Sequence, residues 1–155
     1  MIAQHEITLA CAADAEAIAA MSRDCIEHGL GWSWKPPRVL RCIADPATNV
    51  AVCRDARGLA GFAIMKYRDD EAHLLLFAVE ARRRRRGVGT ALIAWLEATA
   101  RTAGLGVILL EARRSNLAAQ AFYRRLGYRQ IACVPGWYRG VEDCVRLAKD
   151  LWYPD

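Results

Sequence analysis

The chain has 155 residues, of which 54% are hydrophobic and 25% are charged. That length and that balance are typical of one globular domain, and they exclude a disordered chain and a fibrous repeat. The formal net charge is +5, and five arginines at positions 82–86 form a single run. Without that run, 17 basic residues balance 17 acidic ones. The excess therefore indicates one local anionic partner more than a general nucleic-acid surface.

Residues 1–155 are expected to form a single domain in the cytoplasm. The first residues carry neither a basic region nor an apolar export segment, and no apolar run approaches the ~18 residues of a membrane span. The six cysteines include no C-x-x-C pair and have no paired histidines nearby, so neither a metal site nor a redox dithiol is expected. We expect the cysteines to be small buried hydrophobic residues.

The first half of the chain predicts a strand, two helices and a meander of three antiparallel strands. Asp14 can cap the first helix, in which Ile18, Met21 and Cys25 recur at helical spacing, and Ser33 can cap the second. A turn at residues 55–58 joins two of the strands into a hairpin. In chain order the predicted elements are 7–11, 14–29, 33–45, 49–54, 59–67 and 72–79.

The second half predicts two helices alternating with strands. Apolar residues from Val88 to Thr99 recur at helical spacing, and Asn116 can cap the later helix, with Ala118, Phe122 and Leu126 as its core stripe. The predicted elements are 88–104, 106–112, 116–127, 128–134 and 144–151, with a loop at 135–143. Strands joined by both hairpins and helices predict a mixed, mostly antiparallel α/β sheet of about seven strands with helices on both faces.

The strongest local signal lies between the third meander strand and the helix that follows the arginines. There a strand runs into Gly87 and Gly89, which open a helix, and such a helix start presents main-chain N–H groups and positive potential to a phosphate. No Gly-Lys-Ser/Thr follows, as a Walker loop requires, and a third Rossmann glycine is missing. A solvated basic turn or a nucleic-acid patch is the competing interpretation of the arginines.

Four motifs resemble a known family. Arg84-x-x-Gly87-x-Gly89 resembles the acetyl-coenzyme A loop of the GNAT superfamily of N-acetyltransferases. Residues 110–116 (Leu-Glu-Ala-Arg-Arg-Ser-Asn), residues 121–128 (Ala-Phe-Tyr-Arg-Arg-Leu-Gly-Tyr) and Glu142-Asp143 are similar to its RimI-type, ribosomal-protein-alanine members. Gly31-Trp32-Ser33 is similar to their Pro-Trp-Ser segment. The resemblance is specific over residues 72–151 and loose before them.

The resemblance implies a single-domain GNAT fold with a splay between the fourth and fifth strands, and acetyl-CoA as acyl donor with no metal. Main-chain groups of Phe77 and Val79 would face pantetheine in the splay, and Asn116 either contacts the pantetheine arm or only caps its helix. Arg82 or Arg83 could reach the 3′-phosphate. The loop residues implied to hold the pyrophosphate are Arg84, Arg85, Arg86, Gly87, Val88, Gly89 and Thr90.

The resemblance also assigns the chemistry to two side chains. Glu111 shares one strand face with Val107 and Leu109, and it matches the general base of the RimI-type enzymes; a strand-end carboxylate paired with arginine is the alternative. Tyr123, predicted at the edge of the core stripe, would hydrogen bond to the departing thiolate. An α-amine with a pKa of ~7.7–8.0 needs only a modest base, whereas lysine is near 10.4, which favours a protein or peptide N-terminus as acceptor.

Trp32, Trp137 and Tyr138 are predicted walls of the acceptor site, with core or lid packing as the alternative for the tryptophans. A small amine, such as a polyamine, an amino acid or an antibiotic, is left open as acceptor. Two further alternatives are a non-catalytic coenzyme A-binding domain and a nucleic-acid module that uses the arginine run. The expected partners are acetyl-CoA and an amine, without membrane or nucleic acid, and the expected state is a monomer or homodimer.

Overall fold

Seven strands and four helices make up the protein in its computed structural model, which describes residues 5–152. In chain order they are β1 (Ile7–Leu9), α1 (Ala15–Cys25), α2 (Pro36–Ala44), β2 (Thr48–Asp55), β3 (Gly58–Tyr67), β4 (Glu71–Val79), α3 (Val88–Thr102), β5 (Val107–Arg113), α4 (Leu117–Arg125), β6 (Arg129–Tyr138) and β7 (Glu142–Asp150). Short 3-10 turns at Ala12–Asp14 and Ala81–Arg83 precede α1 and follow β4. No helix in this described part is long and apolar enough to cross a membrane.

The strands form one sheet in the order β1-β2-β3-β4-β5-β7-β6. Every neighbouring pair is antiparallel except β4 and β5, which are parallel because the helix α3 connects them. The predicted fold class, a mostly antiparallel seven-stranded α/β sheet, is confirmed.

Two apolar layers cover the sheet, one on each face. On the α1/α2 face, Ile18 and Val39 pack against Phe62, Ile64 and Leu76. On the α3/α4 face, the buried core consists of side chains from α3, α4 and the central strands, among them Met65, Leu74, Ile93, Leu96, Leu110 and Leu147. The predicted placement of helices on both faces is thus confirmed.

A β-bulge at Leu75 reverses the faces of β4. Met65 of β3 pairs with Leu74 and Ile64 pairs with Leu76, so Leu75 is an extra residue without a partner. Before the bulge Leu74 points to the α3/α4 face, and after it Leu76 points to the α1/α2 face. In a regular strand His73 and Phe77, four residues apart, would lie on the same face. Because of the bulge, Phe77 packs on the α3/α4 side instead.

The parallel pair β4–β5 separates halfway along its length. Pairing runs from Glu71 with Val107 to Leu74 with Leu110 and stops there. The rest of β4, from the bulge to Val79, and the end of β5, from Glu111, therefore border an open gap. This is the predicted splay between the fourth and fifth strands.

Several predicted details were wrong. The loop predicted at 135–143 is the end of β6, a turn and the start of β7, and Pro135 fits there because β6 is an edge strand. The N-cap position of α2 is Lys35, not Ser33, and the Lys35 side chain makes no capping hydrogen bond. The stripe of Ala118, Phe122 and Leu126 is not the buried face of α4.

On α4 the buried side chains are instead Gln120 and Tyr123, because the helix approaches the sheet with its opposite edge. Gln120 donates hydrogen bonds to the carbonyl oxygens of Arg113 and Arg114, which satisfies its amide inside the fold. The cysteines were predicted to be buried. Cys53 and Cys144 are buried, whereas Cys11 and Cys133 are exposed.

Candidate active site

The loop between β4 and α3 has the backbone shape of an anion site. Arg85 and Gly87 adopt left-handed conformations, with φ of 64° and 85°, which turn successive N–H groups toward one side of the chain. Gly87 is the N-cap of α3 and provides no side-chain cap, so the first amides of the helix stay available. Nε2 of His5 donates a hydrogen bond to the carbonyl oxygen of Arg86 at 2.6 Å, which orients that peptide unit.

Within residues 5–152, none of the main-chain N–H groups of residues 84–90 donates to a protein acceptor; the first helical bond goes from Ala91 to Gly87. Seven consecutive free amides at a helix start suit a group with several anionic oxygens. A Cβ atom at Gly89 would lie only 3.2 Å from Cζ of Phe77 and of Phe122, so glycine lets the loop pack closely against these two rings. The loop therefore fits the pyrophosphate of acetyl-CoA.

Arg83 does not point toward this loop, which corrects its suggested contact with a 3′-phosphate. It is buried, and its guanidinium donates to both oxygens of Asp55 at 2.7 and 2.8 Å and to the carbonyl of Leu59 at 2.9 Å. Arg84 donates to the carbonyl of Val79 at 3.3 Å. Arg82, Arg85 and Arg86 are exposed. One arginine of the run thus anchors the loop, and the rest are accessible to an anion.

The edge of β4 in the gap has main-chain N–H groups without a partner among residues 5–152, although the carbonyl of Val79 accepts from Arg84. The N–H of Glu80 bonds to the carbonyl of Ala60 across the β3–β4 ladder, and main-chain groups of successive residues in a strand point to alternate sides. Phe77 and Val79 therefore direct their N–H and C=O groups away from β3, into the gap that β5 has left. An extended ligand can pair with such an edge.

Tyr123 lies in an aromatic cluster on the α3/α4 side of the gap. Its ring centroid is 6.0 Å from Phe77, 5.4 Å from Phe122 and 5.8 Å from Tyr128. Burial, and to a smaller degree Tyr138, raises the pKa of the Tyr123 phenol well above its usual value. Its hydroxyl bonds to none of residues 5–152, yet it is not sealed from solvent. A neutral hydroxyl is therefore free to donate to a ligand.

Glu111 lies where the gap opens, on the α1/α2 face, with both oxygens bound. Oε1 is 2.6 Å from Nε2 of His73, and Oε2 accepts from Nε of Arg146 at 2.9 Å. Burial is the largest single influence on the Glu111 pKa and raises it. The hydrogen bonds and charges of His73 and Arg146 together outweigh burial, so that the pKa lies below its usual value. The ionised form of the carboxylate is therefore favoured near neutral pH, and both of its oxygens have a partner.

The predicted acceptor residues separate into two places. Glu111 and its partners His73 and Arg146 are called the Glu111 cluster below. The guanidinium of Arg146 lies 4.9 Å from the centroid of the Trp137 ring, so Trp137 adjoins this cluster. The pKa of Tyr138 is raised mainly by burial and also by nearby charges, one of which is Glu111. Trp32 instead packs on α1, where its indole N–H donates to the carbonyl of Ala19 at 3.1 Å.

Asn116 caps α4 by accepting from the N–H of Ala119 at 3.1 Å, as one of its two predicted roles requires. Trp32 makes no contact with the Glu111 cluster in the described residues, and its role at an acceptor site stays a prediction.

Sequence reasoning missed His73 and Arg146. Each faces Glu111 only because of strand register: His73 pairs with Leu109, and Arg146 lies directly opposite Glu111. The one signal available was the alternation of the strands, which places both residues at positions that avoid the α3/α4 core. Which carboxylate they would meet depends on the order of the strands, and one sequence does not reveal that order.

A splayed sheet with a phosphate loop at one end and a buried carboxylate at the other defines an acyltransferase of the coenzyme A-dependent class. The family model described as "Acetyltransferase (GNAT) family" matches residues 15–128. The chain belongs to the GNAT family of acetyl-CoA-dependent N-acetyltransferases. The resemblance inferred from its motifs is confirmed, and with it the acetyltransferase class of the family.

The relatives include an uncharacterized N-acetyltransferase of Methanocaldococcus jannaschii, 38% identical over 50% of each chain. The [ribosomal protein bS18]-alanine N-acetyltransferase of Salmonella typhimurium is 36% identical over 64% of this chain and 69% of its own. The crystal structure of the ribosomal-protein-S18-alanine N-acetyltransferase from Escherichia coli superimposes with a TM-score of 0.81 at 26% identity, over 96% of this chain and 94% of that one. The matched segment thus spans half of the first relative.

Proposed function

We propose that the protein transfers the acetyl group of acetyl-CoA directly to the α-amine of a protein or peptide N-terminus. The observation that carries this proposal is the arrangement of the gap: free amides lie at its mouth, and an ionised carboxylate lies where β4 and β5 part. The bS18-alanine N-acetyltransferases among the relatives support an α-amine acceptor. An N-terminus of a newly made protein as acceptor would place the reaction in the cytoplasm.

On the donor side, the amides of residues 84–90 would bind the pyrophosphate, and the strand edge at Phe77 and Val79 would pair with the pantetheine arm. When bound, acetyl-CoA supplies the acetyl group as a thioester. The N–H groups of that strand edge are fixed donors that can polarise a carbonyl without any reorganisation. Asn116 already caps α4 through its side-chain oxygen, which leaves its amide nitrogen for the pantetheine arm.

On the acceptor side, the Glu111 carboxylate would take the proton that the acceptor ammonium must lose before its nitrogen can attack. An α-ammonium has a pKa of ~7.7–8.0, so a sizeable neutral fraction exists near pH 7 and a weak base suffices. Although burial raises the pKa of Glu111, its contacts with His73 and Arg146 lower that pKa overall, so the carboxylate would hold the proton only briefly, on an oxygen lone pair that His73 and Arg146 leave free, and then release it to solvent. A lysine near 10.4 asks more of such a base.

Tyr123 would donate a hydrogen bond to the sulfur that leaves. Its raised pKa makes full proton transfer to a thiolate, with a thiol pKa near 8.5, strongly uphill. The phenol therefore stabilises the leaving group as a neutral donor. Trp137 and Tyr138 would border the path of the acceptor, and Trp32 would contribute only through the shape of α1 and its following loop.

A thiol-release screen with acetyl-CoA tests the proposal. We expect peptides with a free N-terminus to release coenzyme A faster than N-blocked lysine peptides or polyamines. Glu111→Gln should lower kcat/KM by about 10²–10⁴-fold while leaving the Kd for acetyl-CoA close to that of the wild type. Faster turnover of small amines than of any peptide would contradict the α-amine assignment, and no release with any amine would leave a coenzyme A-binding domain.

A further inference from the structure

A pocket of about 250 Å³ lies on the α1/α2 face between α2 and the strands β2 to β4. None of the residues that line it belongs to the phosphate loop or to the Glu111 cluster. The side chains that give it chemical character are Trp34, Arg38, Arg41, Asp45, Lys66 and Leu75. We call it the α2 pocket. Its volume suits one side chain or a small ion more than a coenzyme.

The α2 pocket has an excess of positive charge. Arg38, Arg41 and Lys66 each lack an ion pair with any acidic residue among positions 5–152. Asp45 is the one carboxylate in the wall, and it already accepts hydrogen bonds from the N–H of Ala47 at 3.0 Å and the hydroxyl of Thr48 at 2.8 Å. Three cations facing one occupied carboxylate leave room for another anion.

Part of this wall is held in place before any ligand arrives. The guanidinium of Arg38 lies 3.8 Å from the centroid of the buried Trp34 ring, and such stacking fixes the plane of an arginine and leaves its N–H edge free. Cys42 also lines the pocket, and burial and Asp45 raise its thiol pKa overall, against the opposing effect of Arg38, Lys66 and Arg41. All three cations line this one small volume.

The α2 pocket lies beside the candidate base. Lys66 of β3 is paired directly with His73 of β4, and side chains of directly opposed residues start about 5 Å apart on the same face of a sheet. His73 in turn contacts Glu111. The pocket wall also includes Leu75, the bulged residue next to the gap. Along this face, the candidate base is thus followed by a positive site.

We propose that the α2 pocket binds a carboxylate of the acceptor, either an acidic side chain near the N-terminus of a peptide or the α-carboxylate of an amino acid. The inference rests on the proposed acetyl transfer at Glu111. An acceptor with an amine and a carboxylate matches this order of groups, with the amine at the Glu111 base and the carboxylate between Arg38, Arg41 and Lys66. Guanidinium groups recognise the two oxygens of a carboxylate together.

The test compares acceptors that differ only in charge. Peptides that begin with alanine and carry Glu at position 2, 3 or 4 are measured by thiol release against the same peptides with Gln, and free glutamate is measured against free glutamine. We expect one acidic acceptor to exceed its amide counterpart by about tenfold or more in kcat/KM. The position of the favoured carboxylate separates the peptide source from the amino-acid source.

Two variants connect that preference to the pocket. In Lys66→Gln and Arg41→Gln the ratio of acidic to amide kcat/KM should fall to about one, while Arg57→Gln, an exposed arginine in the β2–β3 turn, should keep the wild-type ratio. Circular dichroism and thermal melting establish that the variants are folded. A wild-type ratio near one, or a ratio that both pocket variants retain, overturns the proposal and leaves acetyl transfer itself intact.

A binding measurement separates this proposal from the proposed function. N-acetylated peptides with Glu or Gln at the favoured position, or at positions 2–4 in turn, are titrated calorimetrically. Because these peptides are the products of the reaction, their binding can be measured without any turnover. Tighter binding of the Glu peptide that disappears in Lys66→Gln supports the pocket even if no amine releases coenzyme A. Equal binding of both peptides, whatever the turnover, counts against it.

Discussion

The carboxylate of Glu111 lies 2.6 Å from Nε2 of His73, across the point where β4 and β5 separate. Arg146 holds the other oxygen of the same carboxylate at 2.9 Å. A group with both oxygens occupied cannot act as an isolated base. Its affinity for a proton is set by its two neighbours, and each neighbour can be changed separately.

Arg146→Gln should move the acidic limb of the pH profile. A base works only while ionised, so kcat/KM falls as the pH drops through the Glu111 pKa. Arg146 is one of the two neighbours that lower this pKa. Removing its charge raises the pKa toward the usual value, and the fall in kcat/KM then occurs at higher pH.

The pH dependence of kcat/KM measures this shift, with Arg129→Gln as the control. Arg129 is an exposed arginine on β6 that pairs with Asp150, away from the gap. An acidic limb that stays in place in Arg146→Gln while the control also stays in place would show that Glu111 does not set it.

The two tyrosines Tyr123 and Tyr128 form a matched pair for separating catalysis from stability. Their ring centroids lie 5.8 Å apart. Of the two hydroxyls, only that of Tyr128 has a partner among residues 5–152, since it donates to Glu97 at 3.0 Å. Tyr123→Phe removes a hydroxyl with no protein partner in residues 5–152, so the free energy of unfolding should hardly change. Its kcat should fall by roughly 10²-fold, the loss typical of one transition-state donor.

Tyr128→Phe should show the reverse pattern. It leaves the buried Glu97 with one partner fewer, at a cost of about 1–3 kcal/mol in the free energy of unfolding, while kcat changes little. Urea denaturation and steady-state kinetics on both variants decide the matter. Unchanged turnover in Tyr123→Phe, with acetyl-CoA binding intact, removes the assignment of Tyr123.

The arginine run should divide into one structural member and one ligand-binding member. Arg83→Ala leaves the carbonyl of Leu59 without its donor and removes both bonds to Asp55, so unfolding should become easier by about 1–3 kcal/mol. Arg82→Ala, at an exposed position, should leave stability unchanged but reduce the preference for coenzyme A over dephospho-coenzyme A. Calorimetric Kd values for both ligands test this division, which fails if the two variants behave alike.

The amount that the sequence could reveal differs between the two halves of the site. The phosphate loop is local: Gly87 and Gly89 follow a strand and open a helix, so its position and its free amides follow from neighbouring residues. The base is not local, because Glu111 meets His73 and Arg146 only through pairing among β4, β5 and β7. Periodicity predicted which strands exist, but not which partners face each other.

Three further errors have the same origin. Leu75 reverses the faces of β4 through a bulge that alternation alone does not predict, and Tyr123 replaced Phe122 as the buried residue of α4 because the approach of that helix depends on the sheet beneath it. Arg83 appeared to belong to an exposed run until the β2–β3 turn brought Asp55 beside it. Each error concerns a contact between segments far apart in the chain.

Glu142 at the start of β7 should make the fold sensitive to acid. It accepts hydrogen bonds from the hydroxyl and the N–H of Ser115 and pairs with Arg113 at 2.8 Å, and these contacts, led by the Ser115 hydroxyl, lower its pKa from 4.5 to about 2. A carboxyl whose pKa is lower in the folded state stabilises that state above about pH 4.5, and the contribution disappears as the pH falls toward about 2. In Glu142→Gln the free energy of unfolding should therefore be lower than in the wild type at pH 7, and the difference should shrink below pH 4.5. Urea unfolding at several pH values measures this difference in the free energy of unfolding. Glu16→Gln, on the exposed side of α1, is the control. A difference between Glu142→Gln and the wild type that stays constant from pH 7 to pH 2.5 would mean that the charge of Glu142 plays no part.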